Sequence, residues 1–488
     1  MKKWILVYGK YEGLESKAAD LLCAKAEEYV GYELAAYSAE SESVSEKLLE
    51  EHSVIYVGTI SGHKTLAAKY KTAANGDPQG YIYEVAKKDG GNDIYIAGNT
   101  PLGAYYGAAA FVSHYLPNAP FLTSSNGNFN LNGFFKKPFN EQMTEAKEES
   151  APAIKNRAIW TWGHVIFDYE KFFENMSLLR LNEIVIWNDY MPVNAKQVVD
   201  AAHGYGIRVI FGFSWGWNTN CNEFDIRSCF DKNQVNEFAQ NVVSYYEKEV
   251  LPTGADGIYF QSFTELSADN IGGVNIAEAV TAWVNGIAGA LYEKHPETEI
   301  QFGLHATSVK EHLKYLQAVD KRIKIVWEDC GAFPYNYSPA AVQNSEETEE
   351  FTKTALRLRG KGEKFAAVFK GLTTLYWDIF RYRDGAFILG KASKEKLAAV
   401  SEERAAAWKY IQAMWLKNAE YVRKTTETIA ETMKEKSEIQ LLAEYGAFEK
   451  HIYFPVALAA EILWSPTESA QELIERATLN PYAYFENI

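Results

Sequence analysis

Short apolar runs alternate with stretches of helical periodicity along the first 135 residues. Residues 3–9 read as a strand, 15–29 as a helix, and 53–60 as a strand that stops at a Gly turn. Runs 81–85 and 93–97 flank Asp89-Gly90-Gly91-Asn92, a hairpin signal. Next, Gly98-Asn99-Thr100-Pro101-Leu102-Gly103 leads into an apolar helix over 108–116, with glycines that let its start pack closely on the sheet. No GxGxxG occurs, so a dinucleotide site is not expected. Residues 117–156 are rich in Asn, Ser, Pro and Glu and read as a connecting segment.

From Arg157 the pattern becomes a strand–helix repeat. Strands are expected at 157–162, 183–187, 208–213, 257–263, 299–305, 323–327 and 364–370, with an eighth at 374–379 or slightly later. Helical periodicity separates them, as at 169–181 and 195–205. Continuous apolar strands alternating with helices imply a parallel sheet. Seven or eight such units in one stretch imply a (β/α)8 TIM barrel. The fold class is therefore α/β. An N-terminal α/β accessory domain (1–135) and a linker (136–156) precede the barrel (157–390), and a C-terminal helical region (391–488) follows. In that last region Trp408, Ile411, Trp415 and Val422 share one helical face, Ser465-Pro466-Thr467-Glu468 reads as a capping box that starts a helix, and no strand is expected.

The net charge of −15 argues against nucleic-acid binding. No apolar run approaches a membrane span, and the run at 4–8 is too short for a signal peptide, so a cytoplasmic location is expected. None of the four cysteines forms a CxxC pair; Cys221 and Cys229 could bridge, but reduced thiols are expected. No HxH or HExxH pair occurs, so neither a metal nor another cofactor is expected.

The unusual feature is the aromatic content, 14%, with 12 Trp. Seven of the 12 Trp fall at the expected carboxyl ends of barrel strands, where barrel active sites lie: Trp160, Trp162, Trp187, Trp215, Trp217, Trp327 and Trp377. Beside them stand Asn188, Asp189, Gln261, Glu265, His305, Glu328, Asp329, Lys370 and Asp378. Flat rings that stack on sugar C–H faces, next to amides and carboxylates that bind hydroxyls, make a carbohydrate site. Glycoside hydrolysis needs two carboxyl groups. Glu265 ends a strongly apolar strand whose burial would keep it protonated, which suits a general acid. Glu328 and Asp329 are the expected partners, with one of the two facing inward.

The domain order, together with IAGNTPLGAYYGAAAF and YFQSFTEL, resembles the family 67 α-glucuronidases. More loosely it resembles the β-hexosaminidase-like enzymes that share the accessory domain. The resemblance implies the general-acid role for Glu265. It also implies a Lys where this chain has Gln261 and an Arg where it offers His305, so the cations that grip a uronic carboxylate are replaced. A neutral or amidated sugar fits better. The base of that family aligns near Ala332–Tyr335, which holds no acid, and its role is carried to Glu328 or Asp329. The expected function is a glycoside hydrolase of short oligosaccharides or glycosides, with carbohydrate as partner and a homodimer as candidate assembly. The alternatives are a non-catalytic carbohydrate-binding barrel and a sugar isomerase or lyase.

Overall fold

The computed structural model describes residues 2–117, 143–161, 166–188, 190–216, 223–263, 269–304, 314–315, 317–328, 345–359, 364–373, 386–390, 392–443, 446 and 448–486. The N-terminal sheet contains β1 (Trp4–Tyr8), β2 (Ala35–Ser38), β3 (Ser53–Thr59), β4 (Tyr81–Lys88), β5 (Gly91–Gly98) and β6 (Ala146–Ser150), in the order β2-β1-β3-β5-β4-β6. β2, β1, β3 and β5 are parallel, while β4 runs against β5 and β6. Helices α1 (Gly13–Val30) and α4 (Pro101–Ala110) cover one face, and α2 (Glu46–Glu51) and α3 (Lys64–Lys69) lie at the other. The Thr100 side chain caps α4 by accepting the Gly103 N–H. A Cβ on Gly98 or Gly103 would overlap backbone at this strand-to-helix turn, so the close packing needs glycine.

The barrel is closed and wholly parallel, with its eight strands in chain order. They are β7 (Asn156–Trp160), β8 (Glu183–Trp187), β9 (Arg208–Phe213), β10 (Gly257–Phe260), β11 (Glu299–Leu304), β12 (Lys324–Trp327), β13 (Phe365–Leu372) and β14 (Glu438–Ala443). Around it lie α5 (Tyr169–Leu178), α6 (Ala195–Gly204), α7 (Lys232–Tyr245), α8 (Ile276–Lys294), α9 (Ser345–Arg359) and α10 (Lys394–Met433). The eighth strand is thus not at 374–379, which lies outside the described residues. It comes from the segment expected to be helical and pairs with β7, Leu442 opposite Trp160.

β14 also contributes to the barrel floor. Its inward Glu438 and Gln440 join Glu183, Glu299, Gln301, Lys324 and Arg208 in a buried polar layer. Lys324 bonds Glu299 at 2.5 Å and also Glu438, and Arg208 bonds Glu183 at 2.6 Å. The carboxylates of Glu183, Glu299 and Glu438 lie close enough to hold an ion, but Lys324 and Arg208 are already paired with them. Burial first, and then Glu438, push the Glu183 carboxyl up. Charges at this end of a barrel serve stability rather than chemistry.

Helix α11 (Phe454–Trp464) is buried at every residue and wedges between sheet and barrel. The Trp464 ring lies under the guanidinium groups of Arg180 and Arg157, at 4.5 and 5.0 Å. Helix α12 (Ala470–Leu479) starts at Ser469, whose side chain and Glu472 form the capping box. The expected box at Ser465 is not used; Ser465 closes α11 instead. In α10 the residues Trp408, Ile411, Trp415 and Val422 are all buried. Cys23 and Cys229 are free thiols, so Cys229 forms no bridge, while Cys221 and Cys330 lie outside the described residues. Among the described residues no helix is long and apolar enough to cross a membrane.

Candidate active site

Strand alternation decides what faces the barrel interior. Trp160, Trp187 and Tyr259 belong to one buried cluster inside the barrel with Val185, Val326 and Leu442. Their rings touch: Trp160 and Trp187 lie 5.7 Å apart, and Tyr259 is 5.7 Å from Trp160 and 5.3 Å from Trp187. A Cβ on Gly212 would overlap Trp187, so glycine on β9 makes room for that indole. These three rings cap the packed interior toward the carboxyl ends of the strands.

Glu328 directly follows β12 and is 2% exposed. The Tyr259 hydroxyl donates a hydrogen bond to its Oε1. A Cβ on Gly303 of β11 would strike both groups, so the pair occupies space that only glycine leaves open. Glu328 is thus held against the interior, and Asp329 lies outside the described residues.

Two predicted stacking residues take another place. Trp215 stacks on Phe213 at 4.8 Å, and Trp327 is likewise buried in the layer between strands and helices. Both serve that packing layer rather than a sugar wall: Trp327 falls on the outward parity of β12, and Trp215, two residues past the end of β9, stacks on the outward Phe213. Gln261 lies two residues beyond Tyr259 and is nearly buried, and Lys370 continues the inward alternation of Ala366 and Val368 at 2% exposure. Asn188, next to Trp187, is 1% exposed, and neither amide atom has a hydrogen-bond partner among the described residues. A buried amide left in this state calls for a polar group from a ligand or water. Phe263 adopts φ 61°, a costly conformation for an aromatic residue, just ahead of Glu265. Trp162, Asp189, Trp217, Glu265, His305, Trp377 and Asp378 lie outside the described residues.

Sequence reasoning missed Tyr259 and Gly303. Both carried a signal: Tyr259 shares the period-2 face of Gln261, and a glycine inside a strand marks close approach.

No known family model matches the sequence, and no curated protein matches it. Among solved structures, the chain is similar to a GH20 exo-β-N-acetylglucosaminidase from Vibrio harveyi in complex with N-acetylglucosamine. The identity is 10% and the TM-score 0.46, over 100% of this chain and 75% of that one. It is also similar to a family 89 glycoside hydrolase from Clostridium perfringens in complex with PUGNAc, at 10% identity and TM-score 0.42. That match covers 95% of this chain and 50% of the other, so the chain spans half that protein's length. At such identities no residue role is carried across.

Proposed function

We propose that this chain is a glycoside hydrolase acting on short oligosaccharides or glycosides of a neutral or amidated sugar. The observation that carries the reading is Glu328: a carboxyl group enclosed at the carboxyl end of a barrel strand, bonded by the Tyr259 phenol and adjoining the Trp160–Trp187 wall. In the proposed mechanism Glu265 protonates the glycosidic oxygen, as the α-glucuronidase resemblance implies. Glu328 or Asp329 activates water or attacks the anomeric carbon. Trp160 and Trp187, with Trp162, Trp217 and Trp377, supply stacking surface. Asn188, Asp189, Gln261, His305, Lys370 and Asp378 supply hydroxyl contacts.

The test is a panel of nitrophenyl glycosides, neutral, amino and uronic, with Glu265→Gln and Glu328→Gln as paired controls. Each substitution is expected to lower kcat by at least about a hundredfold with the fold intact. Undiminished turnover in Glu265→Gln removes it from the mechanism. The second reading, a barrel that binds carbohydrate without cleaving it, is favoured by the absence of an acid at Ala332–Tyr335, where the base of the resembled family aligns. Sugar binding without turnover of any glycoside on the panel would establish it.

A further inference from the structure

The loop after β7 starts at Thr161, beside Trp160 of the ring wall, and ends at Asp168, which caps α5 by accepting the Lys171 N–H. Its start is fixed from inside the barrel, because the Thr161 N–H and hydroxyl both donate to the Val185 carbonyl. Its end is fixed from another loop. Glu449, which follows β14, accepts the Phe167 N–H at 2.6 Å and the Asp168 N–H at 3.2 Å on one oxygen. Beside that contact the Asn175 amide donates to the Phe448 carbonyl at 2.6 Å, and the Phe448 and Phe172 rings meet at 5.0 Å. β14 and β7 are the pair that closes the barrel, so this tie joins the last rim loop to the first.

The tie hangs on a carboxyl group without a counter-charge. Glu449 is 3% exposed, and among the described residues no Lys or Arg pairs with it. The groups around it are Asp168 on α5, which repels its charge, His451 and Lys450 on its own segment, Tyr453, whose hydroxyl donates to the Gly446 carbonyl, and Lys396 of α10, which lies 5.9 Å from the centre of the Phe167 ring. Burial pushes the carboxyl up to about 7 against the two N–H donors. Such a group ionises at little cost in water and at a high cost inside the tie. An opening that lets water reach it is therefore favoured as pH rises from the ordinary carboxylate range to about 7, and no further above that.

The opening with the least to break is a local one. Phe167 sits with Leu397 and Val400 in a small cluster apart from the main core, and such satellite clusters open before the whole molecule does. We propose that Glu449 is a positioning residue for the barrel chemistry: its neutral carboxyl holds Phe167 and Asp168, the end of the first rim loop, and its ionisation releases them. Substrate then meets a mouth whose Trp160 side is no longer fixed at both ends, so binding weakens while the reacting groups stay as they were. The effect on turnover rests on the hydrolase reading; the tie does not.

The test follows hydrogen exchange of the 166–172 peptide by mass spectrometry, divided by the intrinsic rate at each pH, in the full chain and in Glu449→Gln. The Phe167 and Asp168 amides report directly, since each must leave Glu449 to exchange. Their protection is expected to fall at least about tenfold from pH 5 to 8 in the parent and to stay level in the variant, whose amide keeps an acceptor and cannot ionise. With the best glycoside of the nitrophenyl panel, KM is expected to rise at least about threefold over the same range in the parent, and Glu449→Gln to remove that rise with kcat unchanged. Protection that does not change with pH in the parent, or that changes equally in the variant, overturns the proposal. So does a KM that ignores pH while protection falls, since the tie is then structural only. The parent's own pH curve carries the exchange test if Glu449→Gln fails to fold. A chain that hydrolyses no glycoside sinks the hydrolase reading, and the exchange pattern, which needs no substrate, still decides the tie.

Discussion

Replacing Glu461 by Gln should uncouple three parts of the molecule at once. Glu461 lies on α11, 3% exposed, and bonds Arg180 of the barrel at 2.5 Å. His114, which follows α4 on the N-terminal sheet, approaches it at 3.2 Å, and Arg476 of α12 at 3.6 Å. Burial opposes ionisation of Glu461, yet Arg180 and His114 hold its carboxyl well below the usual carboxylate range. Arg180 is 1% exposed, so the substitution strands a guanidinium that water cannot reach. Breaking one side of a buried pair costs about 3–5 kcal/mol. The isosteric amide keeps the packing, so the loss reports charge alone. The assay is guanidinium denaturation of the full chain, followed by far-UV and near-UV circular dichroism. The Arg180→Met/Glu461→Leu double variant, which removes both charges, should recover most of the loss. A cost below about 1 kcal/mol for Glu461→Gln, or a double variant as unstable as the sum of its singles, would refute the reasoning.

Two further outcomes are expected. Burial pushes the Glu449 carboxyl from 4.5 to about 7, although the N–H groups of Phe167 and Asp168 both donate to it. A folded pKa raised in this way means that the stability Glu449 contributes is complete below the ordinary carboxylate range and is lost as pH rises through about 7. At most about 3 kcal/mol is at stake, so Tm should fall from pH 5 to 8, and Glu449→Gln should flatten the slope. An unchanged slope in the variant removes Glu449 as its source. Gly303→Ala should displace the Tyr259–Glu328 pair and lower kcat about tenfold or more with little change in KM, while a distant Gly289→Ala, which meets nothing within 4 Å, leaves both unchanged. Equal activity in the two alanine variants would take that pair out of the proposed chemistry.

Seven barrel strands were legible because the body of each is an apolar run closely followed or preceded by a helix of ordinary length, as in Glu183–Trp187 and Arg208–Phe213. The eighth was hidden by its place: Glu438-Ile439-Gln440 repeats the Glu299-Ile300-Gln301 start of β11, but it arrives after a 40-residue helix rather than a short one. The rim residues were legible in kind but not in direction. Trp187 and Trp327 both end strands, yet one faces the interior and the other the helices, since a shift of one position reverses every side chain. The capping box was read at Ser465–Glu468, whereas it forms four residues on, at Ser469–Glu472, because α11 runs through Trp464 and Ser465 closes it.

The pairing of β14 with β7 also sets the order in which the molecule can be made. A nascent chain that has emerged only as far as α10 holds seven strands and two unsatisfied borders, β7 and β13, each offering a row of free amide and carbonyl groups. No halfway enclosure exists for it. Closure waits until residues 438–443 leave the ribosome, and the first strand must be kept from foreign partners for the whole of that interval. A fragment cut at residue 390, the boundary that periodicity suggests, would keep those two borders for good and should self-associate rather than behave as a small independent barrel.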